Sequence, residues 1–216
     1  MFFSFFLKRK SARFVSSYAV ATDEELYRRF AGGDERAFEV LLDRHGGKVL
    51  GYFHRFFGDR ELAEDLTQEV FLRVASSAGR FRGDSSFTTF VFRIVRNLCI
   101  DHMRYRSSRP ETGARSLEEP GLNGEGSPLG DRIPARDPTG VGHARTESRE
   151  MSGALEKGLA ALPPEQREVF LLREVEGMKF GEIAALTGVT ESTVKSRMRY
   201  ALKALRGSLE AFGKVT

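Results

Sequence analysis

Cysteine occurs once in the 216 residues, as Cys99. One thiol can form neither an internal disulfide nor a thiolate metal site, so packing must hold the fold, and a reducing cytoplasm is the expected compartment. Cys99 lies in an apolar periodic run and reads as a small buried residue. Long hydrophobic runs are also lacking: nothing approaches the roughly 20 apolar residues of a membrane span. The run Phe2, Phe3, Phe5, Phe6, Leu7 is short, and Lys8, Arg9, Lys10 and Arg13 follow it, whereas a signal peptide has its charges first. It reads as a weakly structured extension over residues 1–21, without stable membrane insertion. There is no Gly-rich phosphate loop, no zinc-ligand spacing and no histidine pair at metal spacing. His143 lies in a polar stretch, and His45, His54 and His102 fall on separate predicted turns. No enzyme and no cofactor is expected.

Proline is scarce except in one place. Residues 107–150 hold five of the seven prolines, seven of the 22 glycines and no aromatic. Such a stretch cannot bury enough apolar surface to offset its ordering entropy, so it reads as a flexible linker. What remains has helical periodicity throughout. The expected fold is all-α: two small helical domains, at 22–106 and 151–209, on a tether, with a short tail at 210–216.

In the first domain, Thr22 to Glu25 forms a capping box opening a short helix that Gly32-Gly33 closes. Asp34 caps a second, with Phe38, Leu41, Leu42, His45, Val49, Phe53 and Phe56 inward; Gly46-Gly47 argues against one straight helix. His45, on the apolar face, reads as a satisfied core histidine. A third helix spans about Arg60–Ala75, with Leu62, Leu66, Val70 and Val74 buried. Its other face carries Glu61, Asp65, Gln68, Glu69 and Leu72. The window Asp59–Glu69 holds five acids and one Arg. That face cannot touch DNA; it is a solvated acidic surface or a site for a basic protein. After a loop at Phe81–Ser86, Ser85 or Ser86 caps a long helix over Phe87–Tyr105. Arg93, Arg96, Asn97 and Arg104 form its polar strip. With Phe81, Phe87, Phe90, Phe92 and Tyr105 nearby, it suits a single-strand nucleic-acid surface, where Arg holds phosphates and aromatics stack on bases. A helical core with a charged rim explains the same composition.

The second domain opens with a helix over about Ser152–Leu162. Pro163-Pro164 starts the next, and Gly177 closes it. Glu182–Leu205 then reads as two helices joined by a tight turn. Thr187-Gly188 ends the first, and Thr190 caps the second. Val194, Met198, Ala201, Leu202, Leu205 and Leu209 mark the buried stripe. Ser192, Lys195, Ser196, Arg199, Lys203 and Arg206 lie opposite. From Ser192 to Leu209 there are five Lys or Arg and no acid. This pattern fits a helix-turn-helix with its second helix in the major groove, or a hairpin with a solvated basic face.

Three stretches together resemble the extracytoplasmic-function sigma factors of the sigma-70 superfamily. Asp65-Leu66-Thr67-Gln68-Glu69-Val70-Phe71 resembles the family's polymerase-binding helix. Phe81-Arg82-Gly83-Asp84-Ser85-Ser86-Phe87, with Arg93-Ile94-Val95-Arg96-Asn97-Leu98, resembles its promoter-melting loop and helix. Leu162-Pro163-Pro164-Glu165-Gln166-Arg167 and the helix-turn-helix resemble its −35-reading domain. The resemblance implies core RNA polymerase and promoter DNA as partners, and leaves room for an anti-sigma factor. It implies a polymerase site at Asp65, Gln68, Glu69 and Leu72. It implies a single-stranded −10 site at Phe81, Arg82, Ser85, Ser86, Phe87, Arg93, Arg96, Asn97 and Arg104. A duplex −35 site would comprise Thr190, Ser192, Thr193, Lys195, Ser196 and Arg199. Phe90 stands where relatives often have Trp. A stand-alone helix-turn-helix regulator explains only the C-terminal part, and an RNA-modifying enzyme lacks a catalytic constellation.

Overall fold

The computed structural model describes residues 16–80, 85–108 and 153–213. All regular structure among them is helical. The first half comprises α1 (Ser16–Val20), α2 (Asp23–Ala31), α3 (Glu35–Phe57), α4 (Arg60–Ser76), a 3-10 turn (Ala78–Arg80) and α5 (Phe87–Ser108). The second comprises α6 (153–161), α7 (Pro164–Phe170) with a π-helical continuation at Leu171–Val175, α8 (Phe180–Thr187) and α9 (Glu191–Gly213).

Local chemistry sets the helix ends. Thr22, Asp34 and Asp59 each accept a backbone N–H three residues on, starting α2, α3 and α4. Gly58 and Gly188 end α3 and α8 at φ of 72°, a left-handed conformation that glycine adopts without strain. Despite Gly46-Gly47, α3 is one helix of 23 residues. Packing of its apolar stripe outweighs the glycine cost of about 1 kcal/mol each. The chain also becomes helical earlier than expected, at Ser16. Arg44 of α3 holds this segment by donating to the carbonyls of Tyr18, Ala19 and Ala21, and Tyr18 donates to Asp34 at 3.0 Å.

The core of the first half is aromatic. Tyr27, Tyr52, Phe53, Phe87 and Phe92 are all but fully buried, and each such ring contributes about 1.5–3 kcal/mol on leaving water. His45 lies among them, its Nε2 2.7 Å from Asp23 and its ring edge-on to Phe87. It is a core histidine with a carboxylate partner. In α4 the buried stripe is Ala63, Thr67, Val70, Phe71 and Val74; Leu62 and Leu66 lie at its edge. Thr67 is tolerated inside because its hydroxyl donates to the Ala63 carbonyl.

Candidate nucleic-acid and polymerase interfaces

The three expected surfaces lie on α4, α5 and α9. On α4, Asp65 is exposed and Gln68 and Glu69 are half-buried. Leu72 beside them is 60% exposed, a large apolar side chain at the edge of an acidic face. Glu69 is 2.7 Å from Arg73, and Glu64 is 3.0 Å from Arg60. Exposed i,i+4 pairs of this kind contribute only a few tenths of a kcal/mol, so the carboxylates remain free to exchange partners.

On α5, Arg93, Asn97, Asp101 and Arg104 are exposed along one face, while Phe87, Val91, Phe92, Val95, Leu98 and Cys99 are buried on the other. The core buries the Cys99 thiol and pushes its pKa far up, which keeps it protonated and inert. Three residues depart from the expected −10 site. Phe87 is 0% exposed, packed on Tyr27 with centroids 5.1 Å apart. Its ring belongs to the core and has no face left for a base. Ser86 accepts the Thr89 N–H at 3.1 Å and contacts the Thr89 hydroxyl at 2.9 Å, so its hydroxyl caps α5. Arg96 turns away from the strip toward the second half, where its Nε lies 3.0 Å from Glu168 and its Nη2 donates to the Thr187 carbonyl at 3.3 Å. Ser85 is half-buried, and Phe81 and Arg82 lie outside the described residues.

On α9, Val194, Met198, Ala201 and Leu205 are buried. Leu202, expected in this stripe, is 45% exposed; its neighbour Ala201 occupies the inward position. Leu209 has no described side-chain environment. Thr190 caps the helix, its Oγ1 accepting the Thr193 N–H at 3.3 Å and lying near the Ser192 and Thr193 hydroxyls. Lys195 and Arg199 are exposed, and Ser196 is half-buried between them. Lys195 is 2.6 Å from Glu191, an exposed pair that a phosphate or a base edge can displace.

Sequence reasoning missed the neighbours of Lys195. Arg173 stacks over Phe180 at 4.7 Å and donates to the Met178 carbonyl at 3.0 Å. Lys195 approaches the same ring at 5.9 Å. With Lys179, these side chains line an open cleft at the entrance to the helix-turn-helix. Arg173 was masked by the apolar run around it, and Phe180 by its distance from the second helix.

Both halves of the chain are similar to known proteins. A family model for sigma-70 region 2 matches residues 41–109, and one for sigma-70 region 4 matches residues 152–205. The RNA polymerase sigma-H factor of Pseudomonas aeruginosa is 31% identical over 87% of this chain and 94% of its own length. The ECF RNA polymerase sigma factor SigM of Mycobacterium tuberculosis is 30% identical over 82% of this chain and 79% of its own. In fold, the chain resembles CnrH, solved with the cytosolic domain of CnrY, at a TM-score of 0.62 and 24% identity, covering 88% of this chain and 99% of that one.

Proposed function

The chain belongs to the extracytoplasmic-function sigma factors of the sigma-70 family, and on that basis we propose residue roles for its three surfaces. As a sigma factor it binds core RNA polymerase, directs it to specific promoters and helps melt the −10 element. Its relatives are initiation factors, which assemble a complex rather than turn over a substrate. No described helix is long and apolar enough to cross a membrane.

One observation carries the assignment of roles: an acidic face with an exposed leucine and two basic faces lie on three separate helices of one chain. Asp65, Gln68, Glu69 and Leu72 take the polymerase, where acids meet a basic protein surface and Leu72 supplies apolar contact. Arg93, Asn97 and Arg104, with the loop at 81–86, take the single-stranded −10 element. Thr190, Ser192, Thr193, Lys195, Ser196 and Arg199 take the −35 duplex, with Arg173 and Lys179 added as phosphate contacts. Polar groups at a major-groove helix can read base edges, while flanking cations hold phosphates.

Capture of core polymerase by the full chain tests this reading. Replacing both Asp65 and Glu69 with Lys puts like charges against the partner and should weaken capture by several kcal/mol, leaving the circular dichroism spectrum unchanged. Undiminished capture by the folded variant removes α4 from the interface.

A further inference from the structure

The leading end of α9 carries an acid. From Thr190 to Leu209 the sequence has five Lys or Arg, and Glu191 is the single carboxylate. Glu191, Lys195 and Arg199 recur every four residues, each turned about 40° from the last, and all three are exposed. They form a row along one side of the helix. Within it, Glu191 Oε1 lies 2.6 Å from Lys195 Nζ, with the two side chains 50% and 57% exposed.

Capping does not occupy this carboxylate. Thr190 caps α9 by accepting the Thr193 N–H. The first-turn acid of α8, Glu182, turns back and accepts the Lys179 N–H at 2.7 Å. Glu191 instead reaches forward along its helix to Lys195. Its charge opposes a phosphate, and the cations on this side of the motif, Arg173 and Lys179, line the same cleft. An acid placed here weakens binding to every duplex unless a base edge uses it. A charge left unpaired against the wrong partner is a means of specificity.

The major-groove edges say which base can use it. The N-terminal residues of a recognition helix contact base edges. Cytosine offers its N4 amino group as a donor, and its partner guanine offers O6 and N7 as acceptors. Across a C·G pair the order is donor, acceptor, acceptor. A carboxylate beside an ammonium is the complement: Glu191 accepts from cytosine N4 while Lys195 donates to guanine O6 or N7. In the base pair, N4 and O6 share a hydrogen bond of about 2.9 Å, a spacing close to that between the Glu191 and Lys195 atoms. The ion pair therefore need not break to be used. Against the inverted pair, the carboxylate meets guanine O6 and N7 and is repelled. An A·T pair keeps a donor beside an acceptor, but sets adenine N7 against the carboxylate and the thymine methyl against the ammonium.

We propose that Glu191 is a specificity-determining residue that, with Lys195, reads one C·G pair of the −35 duplex and excludes its inversion. This role rests on the −35 assignment of α9.

Selection from randomised duplexes tests it. Holoenzyme assembled from core polymerase and the full chain is offered promoters randomised across the −35 element, and the retained sequences are read. The parent should favour one C·G pair over its inversion by about tenfold or more. Glu191→Gln puts an amide in place of the carboxylate, which suits adenine N6 and N7, so the preferred base there should change from cytosine to adenine. Damage to the fold would not create a new preference. Glu191→Ala should lose the preference, retain unselected duplexes better than the parent, and steepen the salt dependence by about one, because Lys195 is released to a phosphate. Lys195→Ala should disturb the same base pair. If Glu191 serves only its helix, Glu191→Ala lowers the thermal midpoint and every base preference stays. That result, or unchanged preferences in Glu191→Gln while Lys195→Ala or Arg199→Ala moves a position, overturns the role of Glu191 and leaves the −35 assignment standing. A parent that enriches no −35 sequence removes the assignment and the role of Glu191 together.

Discussion

The Glu24 carboxylate accepts a hydrogen bond from the Phe87 backbone N–H at 2.8 Å, joining positions 63 apart in the chain. Glu24 lies in the first turn of α2, and Phe87 is the first residue of α5. A carboxylate from one helix thus caps another, where N–H groups point outward and the helix dipole favours negative charge. The Ser86 hydroxyl satisfies a second N–H of the same turn. Both bonds fix the start of α5.

Glu24→Ala should therefore destabilise the first half by about 1–2 kcal/mol, the range for loss of a helix N-cap. Glu24→Gln, which keeps an acceptor oxygen, should cost less. Urea titration of the full chain, followed by circular dichroism, measures both. A cost for Gln equal to that for Ala shows that charge, rather than the hydrogen bond, is what the site uses.

Acidification should weaken the same region. Burial lowers the pKa of His45 below its ordinary value, against the opposing pull of Asp23. Burial alone would raise the Asp23 pKa, but hydrogen bonds from Arg44 and His45 outweigh it and leave it lowered. Both shifts have the same sign in stability: the unfolded chain binds more protons than the folded one. His45 therefore begins to cost stability as pH falls through 6.5, its unperturbed value, and Asp23 adds to this as pH falls through 3.8. Thermal melts from pH 7 to pH 4 should show a falling midpoint, and His45→Gln should flatten the part between pH 7 and pH 5. An unchanged slope in that variant places the titrating group elsewhere.

The contrast between Thr22 and Glu24 shows what was legible in the sequence. Thr22 caps its own helix three residues on, so spacing alone identifies it. Glu24 caps a helix 63 residues away, and nothing local marks it. The same division holds elsewhere. Asp34, Thr190 and the turn at Gly188 were readable because capping and left-handed turns are short-range chemistry; for α5 the sequence offered Ser85 or Ser86, and the Thr89 N–H selects Ser86. The pairing of Arg96 with Glu168 was not, because its partners come from opposite halves. Arg96 looked like its neighbours on a basic strip until the second half came to rest against it. Phe87 had two readings, packing and base stacking, and periodicity could not choose between them. The depth of the core beside Tyr27 and His45 decides for packing. In α9, adjacent Ala201 and Leu202 are both apolar, and only the contacts show which faces inward.

Readout at the −35 duplex should separate Arg199 and Lys195 from Arg173. A side chain bound to a base edge contributes about 1–3 kcal/mol and discriminates at one position. A phosphate contact weakens all sequences alike and lowers the salt slope by about one. Arg173, held over Phe180 and fastened to the Met178 carbonyl, is placed at the entrance of the motif rather than on its second helix. Arg173→Ala should therefore behave as a phosphate contact, and Arg199→Ala or Lys195→Ala should relax one promoter position. Fluorescence anisotropy across a series of salt concentrations and substituted duplexes distinguishes the two patterns. Loss of one base preference in Arg173→Ala would reverse the assignment.

Melting depends on what receives an unstacked base. Pulling one from a duplex costs a few kcal/mol, and a site must return that energy. Phe87 cannot do so, since its ring is buried, and the Ser86 hydroxyl is occupied in capping α5. Asn97 remains exposed, about 16 Å along α5 from Ser86. Its amide can both donate to and accept from a base edge. Arg93 and Arg104 are exposed on the same face to hold neighbouring phosphates. Asn97→Ala should accordingly leave polymerase capture and the closed complex intact while impairing opening. Permanganate reactivity at the −10 element of a duplex promoter should fall, and a template already mismatched there should recover much of the transcription. Phe87→Leu should act differently: a buried ring is lost, so the protein loses thermal stability, and the mismatched template does not restore activity at temperatures where the fold has loosened. Normal opening of duplex DNA by a folded Asn97→Ala protein would leave α5 with a structural role and move base capture to the loop.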